Sequence, residues 1–146
     1  MIYMLDSDTV IFMTRGLNPV SKAADRRRAL RIAHTCQTHQ QAGDRVALST
    51  ITLAELEFGA RCCSDYAAEM AAVHKVVSPF DRFSFDEVDC PVCYGQVRYD
   101  LQVAGTPIGA NDYFLAAHAL ALGATMVSNN VNHFQRVKGL RIVNWS

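Results

Sequence analysis

No surplus of charge marks this chain. Fourteen Lys and Arg balance fourteen Asp and Glu, so net charge favours no nucleic-acid or membrane partner, and any such surface must be local. No apolar run approaches the ~20 residues that a membrane-spanning helix needs. A signal peptide is also missing: no basic region precedes the short N-terminal apolar run, and Asp6 and Asp8 interrupt it. The cytosol is the expected compartment. Cysteines number five, an odd count in a chain without an export signal, which argues against a disulfide framework. Cys90-Pro91-Val92-Cys93 has redox or zinc spacing, but zinc would need two further ligands, and no second CxxC or HxxxH exists. These cysteines, and the adjacent Cys62 and Cys63, are therefore read as structural or incidental. No Walker loop, GxGxxG, Ser-His-Asp arrangement, internal repeat or low-complexity segment occurs.

What is present is an ordinary globular composition over 146 residues, half of them hydrophobic. One domain spanning 1–146 is expected, long enough to bury a real core. Short apolar runs alternate with helical segments. Ile2 to Leu5, Val46 to Ser49 and Thr125 to Ser128 read as strands buried on both faces, with weaker candidates at Arg82 to Phe85 and Leu140 to Val143. Helices are expected at Thr9–Arg15, from a Ser21 cap to about Ala42, at Thr50–Arg61, Ser64–Val77, from an Asp86 cap through Ala104, from Asn111 to a stop at Gly123, and briefly at 131–136. Pro91 and Gly95 make the first turns of the fifth doubtful. Trp145 is expected to pack as an anchor. This βαβ spacing predicts an α/β fold: three layers, α/β/α, around a mostly parallel sheet of four to five strands.

Polar residues then fall at one edge of that sheet. Asp6 follows the first strand, Glu55 lies just inside the helix after the second, Asp112 stands in the first turn of a buried helix, and Asn130 follows the fourth strand. Ligands in open α/β sheets bind outside the carboxyl ends of strands. Each residue also has an ordinary structural reading: Asp6 as a loop acid, Thr52-x-x-Glu55 as a capping box, Asp112 as a helix-starting acid. Glu55, however, shares its helical face with Ile51, Ala54, Phe58 and Cys62, and Asp112 shares its face with Leu115, Ala116 and Ala119. Acids on apolar faces need partners. Carboxylates gathered together repel unless a cation sits among them, and hard oxygen ligands without a His/Cys set select Mg²⁺ or Mn²⁺. Such a site suits phosphodiester hydrolysis. His118 reads as a satisfied core histidine, and His133, without a partner histidine, as structural. Lys22, Arg26, Arg27, Arg28 and Arg31 on one helix form either a solvated face or a phosphate-contacting stripe.

Four stretches together carry a family resemblance: MLDSDTVIF at the start, STITLAELEFGA in the middle, YGQVRYDLQVAGTPIGANDYFLAAHALALGATMVSNN, and the ending HFQRVKGLRIVNW. Over its full length the chain resembles a PIN-domain ribonuclease of the VapC toxin type. The resemblance implies a metal-dependent endoribonuclease that acts mainly on tRNA and stops translation. It also implies a homodimer, held inactive by a VapB-type antitoxin whose helix or extended tail covers the acidic cleft. Asp6, Glu55 and Asp112 become the acidic metal ligands, with Asn130 at the fourth catalytic position. Two departures stand out: Asp6-Ser7-Asp8 replaces the Asp-Thr-Asn frequent in the family, and the fourth position carries an amide. One well-held Mg²⁺ is therefore expected in the free enzyme, with a second ion arriving with RNA.

Two rival functions are open to the same residues. Leu5-Asp6-Ser7-Asp8-Thr9-Val10 also resembles the nucleophile motif of haloacid-dehalogenase-type phosphatases, with Asp6 attacking phosphorus. That chemistry needs a later acidic pair, and Asn129-Asn130 stands in its place. A decayed PIN domain that only binds RNA or protein is favoured by Asn130 alone.

Overall fold

A computed structural model describes residues 1–146. Five strands, β1 (Ile2–Leu5), β2 (Arg45–Ser49), β3 (Asp81–Phe83), β4 (Thr125–Val127) and β5 (Arg141–Val143), form one sheet in the order β3-β2-β1-β4-β5. Every neighbouring pair is parallel. Seven helices connect them: α1 (Ser7–Gly16), α2 (Ala23–Gln41), α3 (Thr50–Arg61), α4 (Tyr66–Val77), α5 (Asp89–Val103), α6 (Ala110–Leu122) and α7 (Val131–Phe134).

Strand periodicity of two divides the core between two faces. Met4 and Met126 pair in register and point to one face, among Leu115, Ala116, Ala119 and Phe134. Their chain neighbours Leu5 and Val127, also paired, point to the other, among Val10, Met13, Ile32 and Leu56. Helices α1 to α4 cover this second face, and α5 to α7 the first, which gives the three layers. Beyond the sheet, Trp145 stacks on His39 at 4.9 Å and tilts against Tyr3 at 5.1 Å. All five cysteines are free thiols.

Several element starts differ from the sequence reading, each for a local reason. Asp6, whose ordinary structural reading is a loop acid, is the N-cap of α1: its Oδ1 accepts the Thr9 N–H at 2.7 Å. Ser21 caps nothing, because its hydroxyl donates to the Gly16 carbonyl at 2.7 Å and α2 starts two residues later. The Thr52–Glu55 capping box does not form; Ser49 caps α3 through the Ile51 N–H at 3.0 Å. Asp86 gathers the N–H groups of Val88, Asp89 and Cys90 ahead of α5. Pro91 falls in the first turn of α5, where its missing N–H costs nothing, so the helix is not interrupted. Burial pushes the Cys90 thiol up to about 11, and its Sγ donates to Asp86 Oδ2 at 3.2 Å. His118 is only half satisfied: Nδ1 lies 2.7 Å from Ser49 Oγ, while Nε2 is buried without a partner.

The strand order fixes where a ligand can sit. From β1 the chain builds outward to β2 and β3, then returns to the other side of β1 for β4 and β5. The direction reverses between β1 and β4, and the crevice outside their carboxyl ends is the expected binding place of an open α/β sheet.

Candidate metal-binding and catalytic edge

Asp6 leaves β1 at that reversal and is 3 % exposed. Thr9 N–H holds one oxygen, and the hydroxyl of the fully buried Ser128, just after β4, donates to the other. Ser128 Oγ in turn accepts the Asn130 N–H at 2.8 Å. The Asn130 amide nitrogen lies 2.8 Å from His133 Nδ1, and that same nitrogen stands 3.5 Å from Asp112 Oδ2. A continuous polar chain thus runs from Asp6 through Ser128, Asn130 and His133 to Asp112.

Glu55 joins from the opposite side. Its Oε1 accepts the Ser7 hydroxyl at 2.8 Å, and the Asn111 side chain lies close enough to ease its ionisation. Ser7 is in the first turn of α1, so Glu55 ties α3 to α1 at the sheet edge, with the first turn of α6 beside them. The four positions expected from the sequence are brought to one place. The reason expected for Glu55 is wrong, however. Ala54, Phe58 and Cys62 face outward, Phe58 being 70 % exposed, while Thr52, Leu56 and Ala60 turn inward. Glu55 is half-buried at the boundary of the two faces and not on an inward stripe.

All three carboxyls titrate above their ordinary range, and burial is the main cause in each. Asp6 is raised by desolvation, against the hydrogen bonds from Ser128 and Thr9, with Asp8 adding to the rise. Glu55 is raised by desolvation, against Ser7 and Asn111, with Asp112 and Asp8 pushing further. Asp112 is raised by desolvation and eased by His133, while Asp8 again opposes. No Lys or Arg forms an ion pair with any of them; His133 on Asp112 is the one basic contact.

This donor set fits a hard divalent cation. It offers carboxylate oxygens, a half-open edge and no competing fixed cation. As placed, no three His, Cys, Asp or Glu side chains close around one point. Mg²⁺ does not need such a cage, since it is commonly held by one or two carboxylates, with waters and substrate phosphate completing its shell.

Sequence reasoning missed four contributors: Ser7, Asn111, Ser128 and His133. Ser128 follows a buried strand directly, as Asp6 does, and that position is the signal that could have found it. His133, read as structural for want of a second histidine, has carboxylate and amide partners from other elements. The basic residues of α2 stand on a different surface: Arg26 and Arg27 are exposed without partners, while Arg28 lies 4.9 Å over the Phe12 ring and 3.3 Å from Ser146 Oγ.

Comparison with known proteins agrees with this geometry. The PIN-domain family model matches residues 3–140. The ribonuclease VapC1 of Haemophilus influenzae is 32 % identical over 146 residues, covering all of this chain and 99 % of that one. The tRNA(fMet)-specific endonuclease VapC of Salmonella typhimurium is 29 % identical over 143 residues, covering 98 % and 97 %. Among solved structures, VapBC2 from Rickettsia felis bound to a DNA fragment from its promoter superposes with a TM-score of 0.86 at 27 % identity, over the full length of both chains. A shared parallel sheet, an acidic edge at its reversal point and full-length similarity to VapC ribonucleases lead to one assignment: the chain belongs to the PIN-domain family, in its VapC branch of ribonuclease toxins.

Proposed function

We propose that this chain is a Mg²⁺-dependent endoribonuclease that cuts tRNA, with Asp6, Glu55 and Asp112 as the metal-holding acids. The observation that carries the reading is the convergence of three burial-raised carboxyls with no Lys or Arg counter-ion. Buried charges without a partner are costly, and a cation removes that cost. Asp6 is the most firmly placed, gripped by Thr9 and Ser128. Glu55 and Asp112 stand at the open side, where RNA phosphate must arrive. A Mg²⁺ bound here supplies charge stabilisation at the phosphate and lowers the pKa of the attacking water. Asn130 and Asp112 meet at His133 Nδ1: in one ring tautomer that nitrogen accepts from the Asn130 amide, and in the other it donates toward Asp112. A tRNA substrate is supported by the name of the Salmonella relative, so initiator tRNA is the first substrate to test.

The phosphatase reading loses on the residues after β4. A nucleophile of that kind works with a later acidic pair, and after β4 the chain carries the amides Asn129 and Asn130, of which Asn130 is taken up by Ser128 and His133. Incubation of total tRNA with antitoxin-free protein separates the remaining possibilities. Discrete fragments with Mg²⁺ or Mn²⁺, abolished by EDTA and by Asp112→Asn, are expected; folded protein that binds tRNA without cutting it under any metal would show a decayed site.

A VapB-type antitoxin belongs to the same proposal. A cleft of 620 Å³ between α1, α2 and α4 is lined by Met13, Leu17, Ala33, Cys36, Val76 and Phe80, and suits the apolar face of an amphipathic helix. From Leu17 to Asp6 along α1 is roughly 16 Å, so a tail leaving that cleft can set a basic side chain among the acids. A homodimer would have an exposed apolar stripe to use at Val88, just before α5, and at Val92, Tyr99 and Val103 on it. Arg26, Arg27 and Arg28 are the proposed RNA contacts. Replacing all three with Ala should weaken tRNA binding and reduce the salt slope by up to about three phosphate contacts; an unchanged slope would assign the cluster to solvent or to the antitoxin.

A further inference from the structure

We infer that a cavity next to the acidic edge holds one nucleotide of a single-stranded RNA, with Arg136 and Lys138 on its phosphate and Asp100 on its base. The inference deepens the RNA-cutting reading above and rests on it for the identity of the occupant. The cavity, of about 720 Å³, opens between α5, α6 and the segment that follows α7. Small-molecule sites have this size, an apolar lining and a few placed polar groups. The floor here is Val97, Leu101 and Val137, none more than 5 % exposed. Asp100, Arg136 and Lys138 line the walls and are exposed. Asp100 forms no ion pair with either cation, and neither cation pairs with any other acid. Opposite charges facing one space, yet beyond ion-pair distance, leave room for a ligand with a negative group at one end and a donor at the other.

A nucleotide is such a ligand. Its phosphate meets the two cations, its base lies over the apolar floor, and an exocyclic amino group donates to Asp100. One Asp100 oxygen already accepts from Gln96 Nε2 at 2.8 Å, which leaves Oδ2 for the base. Carboxylates read cytosine N4 in this way, and sequence-specific RNA recognition targets the unstacked bases of single strands. The cavity is also tied to the metal-binding edge. Arg136 lies three residues beyond His133, whose Nδ1 stands 3.5 Å from Asp112 Oδ2. Arg136 Nη1 donates to the Pro107 carbonyl at 3.1 Å, and Pro107 precedes Asp112 by five residues. Five residues span at most about 17 Å, so an RNA whose phosphate reaches the acids has nearby nucleotides within reach of the cavity. Exposed basic side chains at a helix end are commonly just solvated, but in that case filling the cavity would change nothing.

The test is fluorescence anisotropy of labelled hexacytidylate and hexauridylate with the full chain in EDTA, where metal-dependent cutting is silent. Hexacytidylate, which carries the amino group, should bind about fivefold more tightly, the low end for one base contact. Asp100→Asn should remove that preference, and Lys138→Ala should weaken both oligomers and lower the salt slope by about one. Ala104→Trp and Thr106→Trp fill the cavity without altering charge, since both positions line it and are exposed. Either variant, folded by circular dichroism and Tm, should lose binding at least about tenfold. Folded variants of both kinds that bound hexacytidylate as the unmodified chain does would overturn the inference, even if Lys138→Ala weakened binding, because the cations would then act as surface charge. A dimer that Ala104→Trp turned into a monomer, with RNA binding unchanged, would give the cavity to a second copy of the chain and overturn it as well. Equal affinity for the two oligomers would remove Asp100 from the base contact. The nuclease reading is separable: an unmodified chain that bound hexacytidylate in the cavity but cut tRNA with no metal would sink that reading and leave the nucleotide site standing.

Discussion

Asp6→Asn is expected to lower tRNA cleavage by roughly a thousandfold while raising the thermal stability of the metal-free protein at neutral pH. The first effect follows from the several kcal/mol of charge stabilisation that a metal site contributes to phosphodiester hydrolysis. The second follows from linkage. Burial raises the Asp6 carboxyl above its ordinary 3.8, so the folded chain holds a proton that the unfolded chain has released. Where the folded state binds more protons, stability falls as pH rises. The loss begins near 3.8 and is complete above the raised folded value, and Glu55 and Asp112 act in the same direction. Asn removes the ionisation at this position. It keeps the cap, since an amide oxygen also accepts the Thr9 N–H and Asn is among the best N-cap residues. Two unfolding series in EDTA, at pH 5 and pH 8, check the sign: the gap between variant and unmodified protein should widen at pH 8. In Mg²⁺ the order should reverse or close, because only the unmodified site gains from the ion. An inactive variant that was also less stable in EDTA at pH 8 would mean that Asp6 is chiefly a structural cap.

Residues that carried the fold were legible because their physics is local. Met4 and Leu5 read as a doubly buried strand, and the structure sends them to opposite cores. Gly123 read as a helix stop, and it takes a φ of 64° there, a backbone conformation that favours glycine. Asp6, Glu55, Asp112 and Asn130 were legible as strand-end and helix-start polar residues, and the strand order gathers them. The connections between them were not legible. Ser128 meets Asp6 across 122 residues and Ser7 meets Glu55 across 48, distances over which spacing in sequence carries no geometric signal. Competition at caps was hidden for a related reason. Ser21, Asp6 and Ser49 are all good capping residues, and only the packed positions of Gly16, Thr9 and Ile51 decide what each hydroxyl or carboxylate reaches. Glu55 shows the remaining gap: its turn of α3 was legible, but which face of that helix meets the sheet was not.

Ser128→Ala carries the other large effect, about ten- to a hundredfold in cleavage and in metal affinity, the usual cost of removing a group that orients a metal ligand. The hydroxyl sits fully buried between two elements of the site: it donates to Asp6 and accepts from the Asn130 backbone. Alanine leaves the charged form of Asp6, a buried residue, with one hydrogen bond fewer. Leaving a buried acceptor unpaired costs about 1–3 kcal/mol. Because the Ser128 bond holds the Asp6 carboxyl down against desolvation, its loss pushes that carboxyl further up. The acid limb of the pH–rate profile should therefore move to higher pH, and raising the Mn²⁺ concentration should recover much of the rate, since the ion favours the ionised carboxylate. A variant that had merely lost packing would show neither change. A pH profile and a metal dependence that superimpose on those of the unmodified chain would remove Ser128 from the site. A shifted acid limb with metal rescue would identify the polar chain from Asp6 to Asp112 as the part of the fold that sets the working pH of the enzyme.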